Sequence, residues 1–113
     1  MLRRVRELRR VGELDGEHVG TGEVGTVDEG TVVRIQVQRD GNRIATARFK
    51  VFGCSGAIAS ASVVTEWLEG APIDEALRLT AARVMQHLDL PAEREHVAKQ
   101  AVDAGLAAVR SAK

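Results

Sequence analysis

The stretch TVVRIQVQRDGNRIATARFKV, residues 31–51, decides the fold, because two alternating runs flank a short turn. In residues 31–38, apolar and polar side chains alternate, which is typical of a strand with one buried face. Asp40-Gly41-Asn42 then supplies residues that tolerate the positive φ of a tight turn, and residues 45–51 alternate again. The sequence therefore predicts an antiparallel β-hairpin.

A helix is predicted directly after the hairpin. The period of the pattern changes at Gly53-Cys54-Ser55-Gly56. Residues 57–69 then have a helical composition, and Gly70 is the type of residue that commonly ends a helix. One strand therefore leads into one helix, with Cys54 at the junction.

Further helical segments are predicted in the second half of the chain. Pro72 suits the first turn of a short helix over residues 74–79, and Thr80 is the expected cap of a segment that reaches Leu88. Leu90-Pro91 is the predicted start of the last helix. That helix carries a stripe of small apolar residues suited to close packing on a sheet or a neighbouring helix: Val97, Ala101, Ala104 and Ala108.

The chain before the hairpin is acidic and rich in glycine. Residues 13–29 hold six carboxylates and no Lys or Arg, which predicts a loop-rich region. Gly20-Thr-Gly-Glu-Val-Gly25 matches the pattern G-x-G-x-x-G, but a dinucleotide site needs a preceding strand and a following helix, and here acidic residues and a strand follow. A flexible glycine turn or a short edge strand is the expected structure. At the start of the chain, Leu2, Val5 and Leu8 predict a short amphipathic helix.

Length and composition predict a single α+β domain over residues 1–113, with residues 1–12 as an N-terminal amphipathic segment. The 113 residues are 44% hydrophobic, enough for one core. Sixteen basic residues balance sixteen acidic ones, and only 3% are aromatic, so we expect neither nucleic-acid binding nor a basic membrane anchor. No stretch has the length and apolarity of a membrane span or a secretory signal. The single cysteine excludes an internal disulfide and suits a cytoplasmic protein.

Three side chains are candidates for chemistry. Cys54 lies just before a predicted helix, where backbone amides and the helix dipole favour a thiolate; the alternative is a buried, inert cysteine. His96 lies near the start of the last helix and is either a metal ligand or a surface residue. Glu29, in the acidic turn before the hairpin, is by default a solvated carboxylate whose neighbours decide whether it becomes a ligand.

Residues 49–60, Phe-Lys-Val-Phe-Gly-Cys-Ser-Gly-Ala-Ile-Ala-Ser, closely resemble the IscU/NifU-type iron-sulfur cluster assembly scaffolds. The likeness continues through Thr65-Glu-Trp-Leu-Glu-Gly70 and Asp74-Glu-Ala76, and it covers roughly residues 11–109. It implies a small three-stranded antiparallel sheet packed against C-terminal helices.

The resemblance also implies a site for an iron-sulfur cluster or a single zinc or iron ion. In that family three cysteines, an aspartate and a histidine gather at one end of the molecule. Cys54 matches the middle cysteine and His96 matches the histidine. Glu29 stands in place of the first cysteine, Val97 in place of the third, and Thr31 in place of the aspartate.

The implied ligands are therefore Cys54, His96 and Glu29. A set of one cysteine, one histidine and one carboxylate is more typical of a mononuclear zinc or iron ion than of a [2Fe-2S] cluster, which prefers four mostly thiolate ligands. A second copy of the chain or a thiol from a partner would complete a cluster.

The resemblance implies a cysteine desulfurase and client apo-proteins as partners, with a homo-oligomer as a further expectation. The family's chaperone-recognition stretch, of the type Leu-Pro-Pro-Val-Lys, appears here as Leu90-Pro-Ala-Glu-Arg94. Charge replaces its apolar centre, which weakens docking of an Hsp70-type chaperone.

Three hypotheses follow. The first is a divergent cluster-assembly scaffold in which Cys54 is a ligand or a persulfide acceptor, His96 a second ligand and Glu29 a third. The second is an adaptor or subunit that keeps the scaffold fold for protein interaction and binds no cluster. An enzyme with a mononuclear metal site is a third reading, but no general base beyond Glu29 is evident, and we expect no turnover chemistry.

Overall fold

The computed structural model describes residues 12, 14, 16–26, 28, 30–53 and 55–112. Three strands form one antiparallel sheet in the order β1-β2-β3: β1 is Val19–Thr26, β2 is Thr31–Asp40 and β3 is Arg43–Phe52. The predicted hairpin is confirmed, because β2 pairs with β3 up to Asp40 opposite Arg43, and Gly41 takes a φ of 63° in the turn.

Within the described residues, four helices follow the sheet. They are α1 (Ser55–Leu68), α2 (Ile73–Ala76), α3 (Ala81–Leu88) and α4 (Glu95–Ser111), with a 3-10 turn over Ala92–Arg94 before α4. The predicted α+β class, a small three-stranded antiparallel sheet packed against C-terminal helices, is confirmed. No helix in the described ranges has both the length and the apolar character that crossing a membrane requires.

Several predicted boundaries shift by a few residues. Thr80 caps α3 as predicted, because its Oγ1 accepts a hydrogen bond of 3.4 Å from the N–H of Arg83. Pro72 lies just before α2 rather than within its first turn, and α2 already ends at Ala76. The last helix begins at Glu95, because the residues after Pro91 first form the 3-10 turn. The predicted helix at the start of the chain lies outside the described residues.

The close approach of α4 to β1 explains the glycines of the acidic region. A Cβ atom on Gly20 would lie 2.0 Å from the carbonyl oxygen of Ala108, and one on Gly22 would lie 1.9 Å from that of Ala104. The helix backbone therefore occupies the space of the missing side chains. Of the two structures expected for Gly20–Gly25, the edge strand forms, and the loop-rich prediction is wrong for residues 19–26.

The core lies between the inner face of the sheet and the helices. Val33, Ile35 and Val37 of β2 are fully buried, as the alternating pattern predicts. The predicted stripe on α4 is confirmed, since all four of its members have no exposed surface: Val97, Ala101, Ala104 and Ala108. Small side chains on this face let the helix approach the glycines of β1.

The outer edge of β3 is covered by the turn that follows α1. The N–H of Ile44 donates to the carbonyl of Ala71 at 2.9 Å, and the carbonyl of Ile44 accepts from Gly70 at 2.7 Å. One carboxylate oxygen of Glu69 accepts from the N–H of Ala47 at 3.0 Å and from Arg48 at 3.2 Å. These bonds satisfy edge groups that would otherwise be open to another strand.

The contact between β1 and α4 generates the first prediction. Replacing Gly22 by Ala forces a methyl group against the backbone of α4, and we expect it to lower the free energy of unfolding by about 3 kcal/mol or more. Glu23→Ala, at the exposed next position of the same strand, is the control, with an expected change within about 0.5 kcal/mol. Urea denaturation followed by circular dichroism measures both. Equal stability of the two variants would contradict the close packing.

Candidate functional site

One end of the sheet brings together the segments that carry the predicted ligands. β1 ends and β2 begins there, with Thr26 opposite Thr31, and β3 ends alongside, with Val32 opposite Phe52. A Cβ atom built on Gly53 would lie 3.2 Å from the Cγ2 of Thr31, so these two residues are in direct contact. We call this end, defined by Thr26, Thr31 and Gly53, the site end.

The longest helix, α4, also begins at the site end. It runs antiparallel to β1, because Ala108 lies against Gly20 and Ala104 against Gly22. His96 precedes Ala104 by eight positions in α4, which corresponds to a rise of about 12 Å along the helix axis. Thr26 follows Gly22 by four positions in β1, which corresponds to about 13 Å along the strand. His96 therefore lies level with Thr26.

The packing of α1 against α4 leads to the same placement. A Cβ atom on Gly105 of α4 would lie 2.8 Å from a methyl group of Val64 on α1. Ser55, the first residue of α1, precedes Val64 by nine residues, and His96 precedes Gly105 by the same number. The contact therefore lies nine residues, about 14 Å of helix, from both Ser55 and His96.

Of the three predicted ligands, the structure describes only His96. Its side chain is exposed and belongs to the second residue of α4, one turn after the 3-10 turn begins. Glu29 and Cys54 lie outside the described residues. Their described chain neighbours, Asp28 and Gly30 for the first and Gly53 and Ser55 for the second, are exposed.

The described residues do not by themselves form a metal centre. In those ranges, which leave out Glu29 and Cys54, no three His, Cys, Asp or Glu side chains come together as a group able to hold a metal ion. His96 is a suitable nitrogen donor, but a single imidazole does not hold zinc or iron, which take about four ligands in proteins. The described residues alone therefore do not supply the ligands of a metal centre at the site end.

At two positions where the resemblance implies a family ligand, this chain has a side chain that is a poor ligand or none at all. Val97 is fully buried in the core and has no donor atom. Thr31 is half-buried against Gly53, and its hydroxyl is a weak ligand beside a carboxylate or thiolate. At these two described positions the chain therefore lacks the strong donor that the family pattern supplies.

Two side chains of α3 pack against Trp67 of α1, a contact that the sequence pattern does not predict. The guanidinium carbon of Arg83 lies 5.0 Å from the centroid of the indole ring, and the imidazole of His87 meets the ring edge-on at 5.2 Å between centroids. The spacing of Arg83 and His87 indicates one face of α3. Nothing in the sequence connects that face to a tryptophan on α1.

Comparison with known proteins points to one family. The model of the NifU-like N terminal domain matches residues 1–113. The chain is 42% identical over 108 residues to "Iron-sulfur cluster assembly protein 3" of Arabidopsis thaliana, with 93% of this chain and 63% of that protein covered. It therefore spans less than two thirds of the length of that relative.

A bacterial relative is covered more completely. The chain is 41% identical over 104 residues to "Iron-sulfur cluster assembly scaffold protein IscU" of Escherichia coli K12, with 89% of this chain and 81% of that protein covered. Among solved structures, the N-terminal part of a nitrogen-fixing NifU-like protein from Brucella abortus superimposes with a TM-score of 0.70 at 20% identity, covering 96% of this chain and 90% of the other. At 20% identity, this structural similarity supports the fold alone.

Proposed function

This chain belongs to the NifU-like N-terminal domain family, and from that membership we propose that it is a divergent scaffold protein of iron-sulfur cluster assembly. One structural observation supports the proposal in addition to family membership. The described neighbours of Cys54, those of Glu29 and the first turn of α4 with His96 share the site end. The names of the plant and bacterial relatives support a role in cluster assembly.

The three donors suit iron or zinc as cargo. A thiolate from Cys54, an imidazole from His96 and a carboxylate from Glu29 make a three-ligand set with an open position. Iron bridged by sulfide prefers thiolate, so a complete [2Fe-2S] cluster would take further ligands from a second copy of the chain or from a client protein. Cys54 is directly followed by α1, whose N-terminal amides and dipole favour the thiolate form.

The same thiolate is a suitable acceptor of sulfur. In the proposed step, the Cys54 thiolate attacks the terminal sulfur of a persulfide on a cysteine desulfurase. The sulfur–sulfur bond of the donor breaks, its cysteine leaves as a thiolate, and Cys54 becomes the persulfide. No net oxidation takes place, and iron at the site end would then meet sulfur already in position.

Metal and sulfide content test the assignment of ligands. We expect protein purified anaerobically to carry iron or zinc, and we expect Cys54→Ser to abolish it. His96→Ala should lower metal affinity at least about tenfold, since even residues that only orient a ligand contribute that much. Elemental analysis, acid-labile sulfide and visible absorption on the same samples provide the readout.

The matched control for His96→Ala is His18→Asn. His18 is exposed and lies at the opposite end of β1, and asparagine tolerates its φ of 65°. This variant should keep the metal content of the native chain. Metal retained in folded Cys54→Ser, or lost equally in both histidine variants, would contradict the assignment.

Sulfur transfer has a separate test. After incubation with a cysteine desulfurase and cysteine, we expect the native chain to gain the mass of one sulfur atom at Cys54, removable by a thiol reductant. His96→Ala should still accept the sulfur, because the nucleophile is unchanged. Intact-protein mass spectrometry measures the gain. A native chain that stays unmodified while the desulfurase itself carries persulfide would contradict the role of Cys54 as acceptor.

The second candidate function is an adaptor that keeps the fold and binds no cluster. The buried Val97 and the hydroxyl of Thr31 favour it, because neither replaces the ligand that the family pattern has at its position. A folded native chain that binds neither metal nor sulfur would support this candidate. Cys54→Ser would then leave its interactions unchanged.

A further inference from the structure

A cavity of about 340 Å³ opens between the end of α1 and the two short helices that follow. Its mixed polar and apolar lining includes the buried side chains of Leu68, Ala76 and Leu79 and the half-buried ring of Trp67. The space accommodates one or two aliphatic side chains. A pocket of this kind typically binds an apolar group and uses a few polar groups at its rim for specificity.

The rim carries three charged side chains, of which one is already engaged. The carboxylate of Glu69 accepts hydrogen bonds from the N–H of Ala47 and from Arg48. Arg83 and Glu75 are exposed, and within the described part of the chain neither forms an ion pair. They do not pair with each other.

The two remaining charges differ in how firmly they are held. The guanidinium carbon of Arg83 lies 5.0 Å from the centroid of the Trp67 ring, and this contact restricts the motion of the side chain. The carboxylate of Glu75, on the four-residue helix α2, has no hydrogen-bond partner among the described residues. A positioned guanidinium loses less freedom when it binds, so it is the stronger recognition element.

From these contacts we propose that the cavity is a docking site for a partner protein that inserts an apolar side chain between Trp67 and Leu79 and presents a neighbouring carboxylate to Arg83. Charge complementarity selects this occupant, because a carboxylate forms paired hydrogen bonds with a guanidinium in a planar geometry. A basic segment would face Arg83 as well as Glu75, and because only Arg83 is held in place by a contact, we expect such a segment to bind more weakly.

This docking site is separate from the site end. The cavity lies at the end of α1, and Ser55 lies at its beginning, about 20 Å away along the 14-residue helix. A partner bound here leaves the Cys54 region accessible. Docking in the cavity therefore does not depend on metal or sulfur binding at the site end, and we expect Arg83→Gln to leave both kinds of binding unchanged.

Intrinsic fluorescence provides a direct test, because Trp67 is the single tryptophan and the chain has no tyrosine. The probes are the peptides acetyl-Ala-Leu-Asp-Ala-amide and its Asn and Lys versions. We expect the Asp peptide to change the emission of Trp67 and to bind about threefold more tightly than the Asn peptide, the size of effect that an exposed ion pair gives. The Lys peptide should bind most weakly.

Two arginine variants distinguish the proposed contact from general charge. Arg83→Gln should remove the preference for Asp over Asn while keeping the cap of α3, which uses the backbone N–H of this residue. Arg78→Gln, an exposed position outside the cavity, should keep the preference. Three results would overturn the proposal in folded protein: no emission change at about 5 mM peptide, equal binding of all three peptides, or an unchanged preference in Arg83→Gln.

Discussion

The close approach of α4 to β1 is the constraint on which the rest of the structure depends. Glycine at positions 20 and 22 lets the helix backbone take the space of two side chains. Because the contact involves backbone atoms on both sides, it fixes the height of the helix along the strand as well as its distance. His96 reaches the level of Thr26 for this reason.

The same arrangement separates two surfaces along α1. Its first residue, Ser55, lies at the site end, where exposed backbone and the N-terminus of a helix suit anionic sulfur. Its last turn, at Trp67 and Leu68, lines the cavity. In the scaffold proposed above, cargo at the first surface would stay accessible while a partner occupied the second. The buried middle of α1 acts as a rigid connection between them.

Much of the fold could be predicted from the sequence, and the exceptions have physical causes. The hairpin was predictable because alternation in β2 and β3 follows directly from one buried face. β1 was not, because a helix backbone replaces side chains on its inner face and leaves glycine where apolar residues would mark a strand. Cys54, His96 and Glu29 were candidates from their positions in the sequence, the resemblance joined them into one ligand set, and that assignment remains a prediction. The contact of Arg83 with Trp67 joins two helices, and no local pattern predicts it.

The most direct test of the account is the distance from Cys54 to the beginning of α4. As the single cysteine, Cys54 can carry a nitroxide spin label without any substitution. We expect paramagnetic broadening in amide NMR spectra to be strong at Thr31 and His96 and absent at Gly41, which lies about 30 Å away along β3. An undiminished amide signal from His96 in the labelled, folded protein would contradict the shared site end.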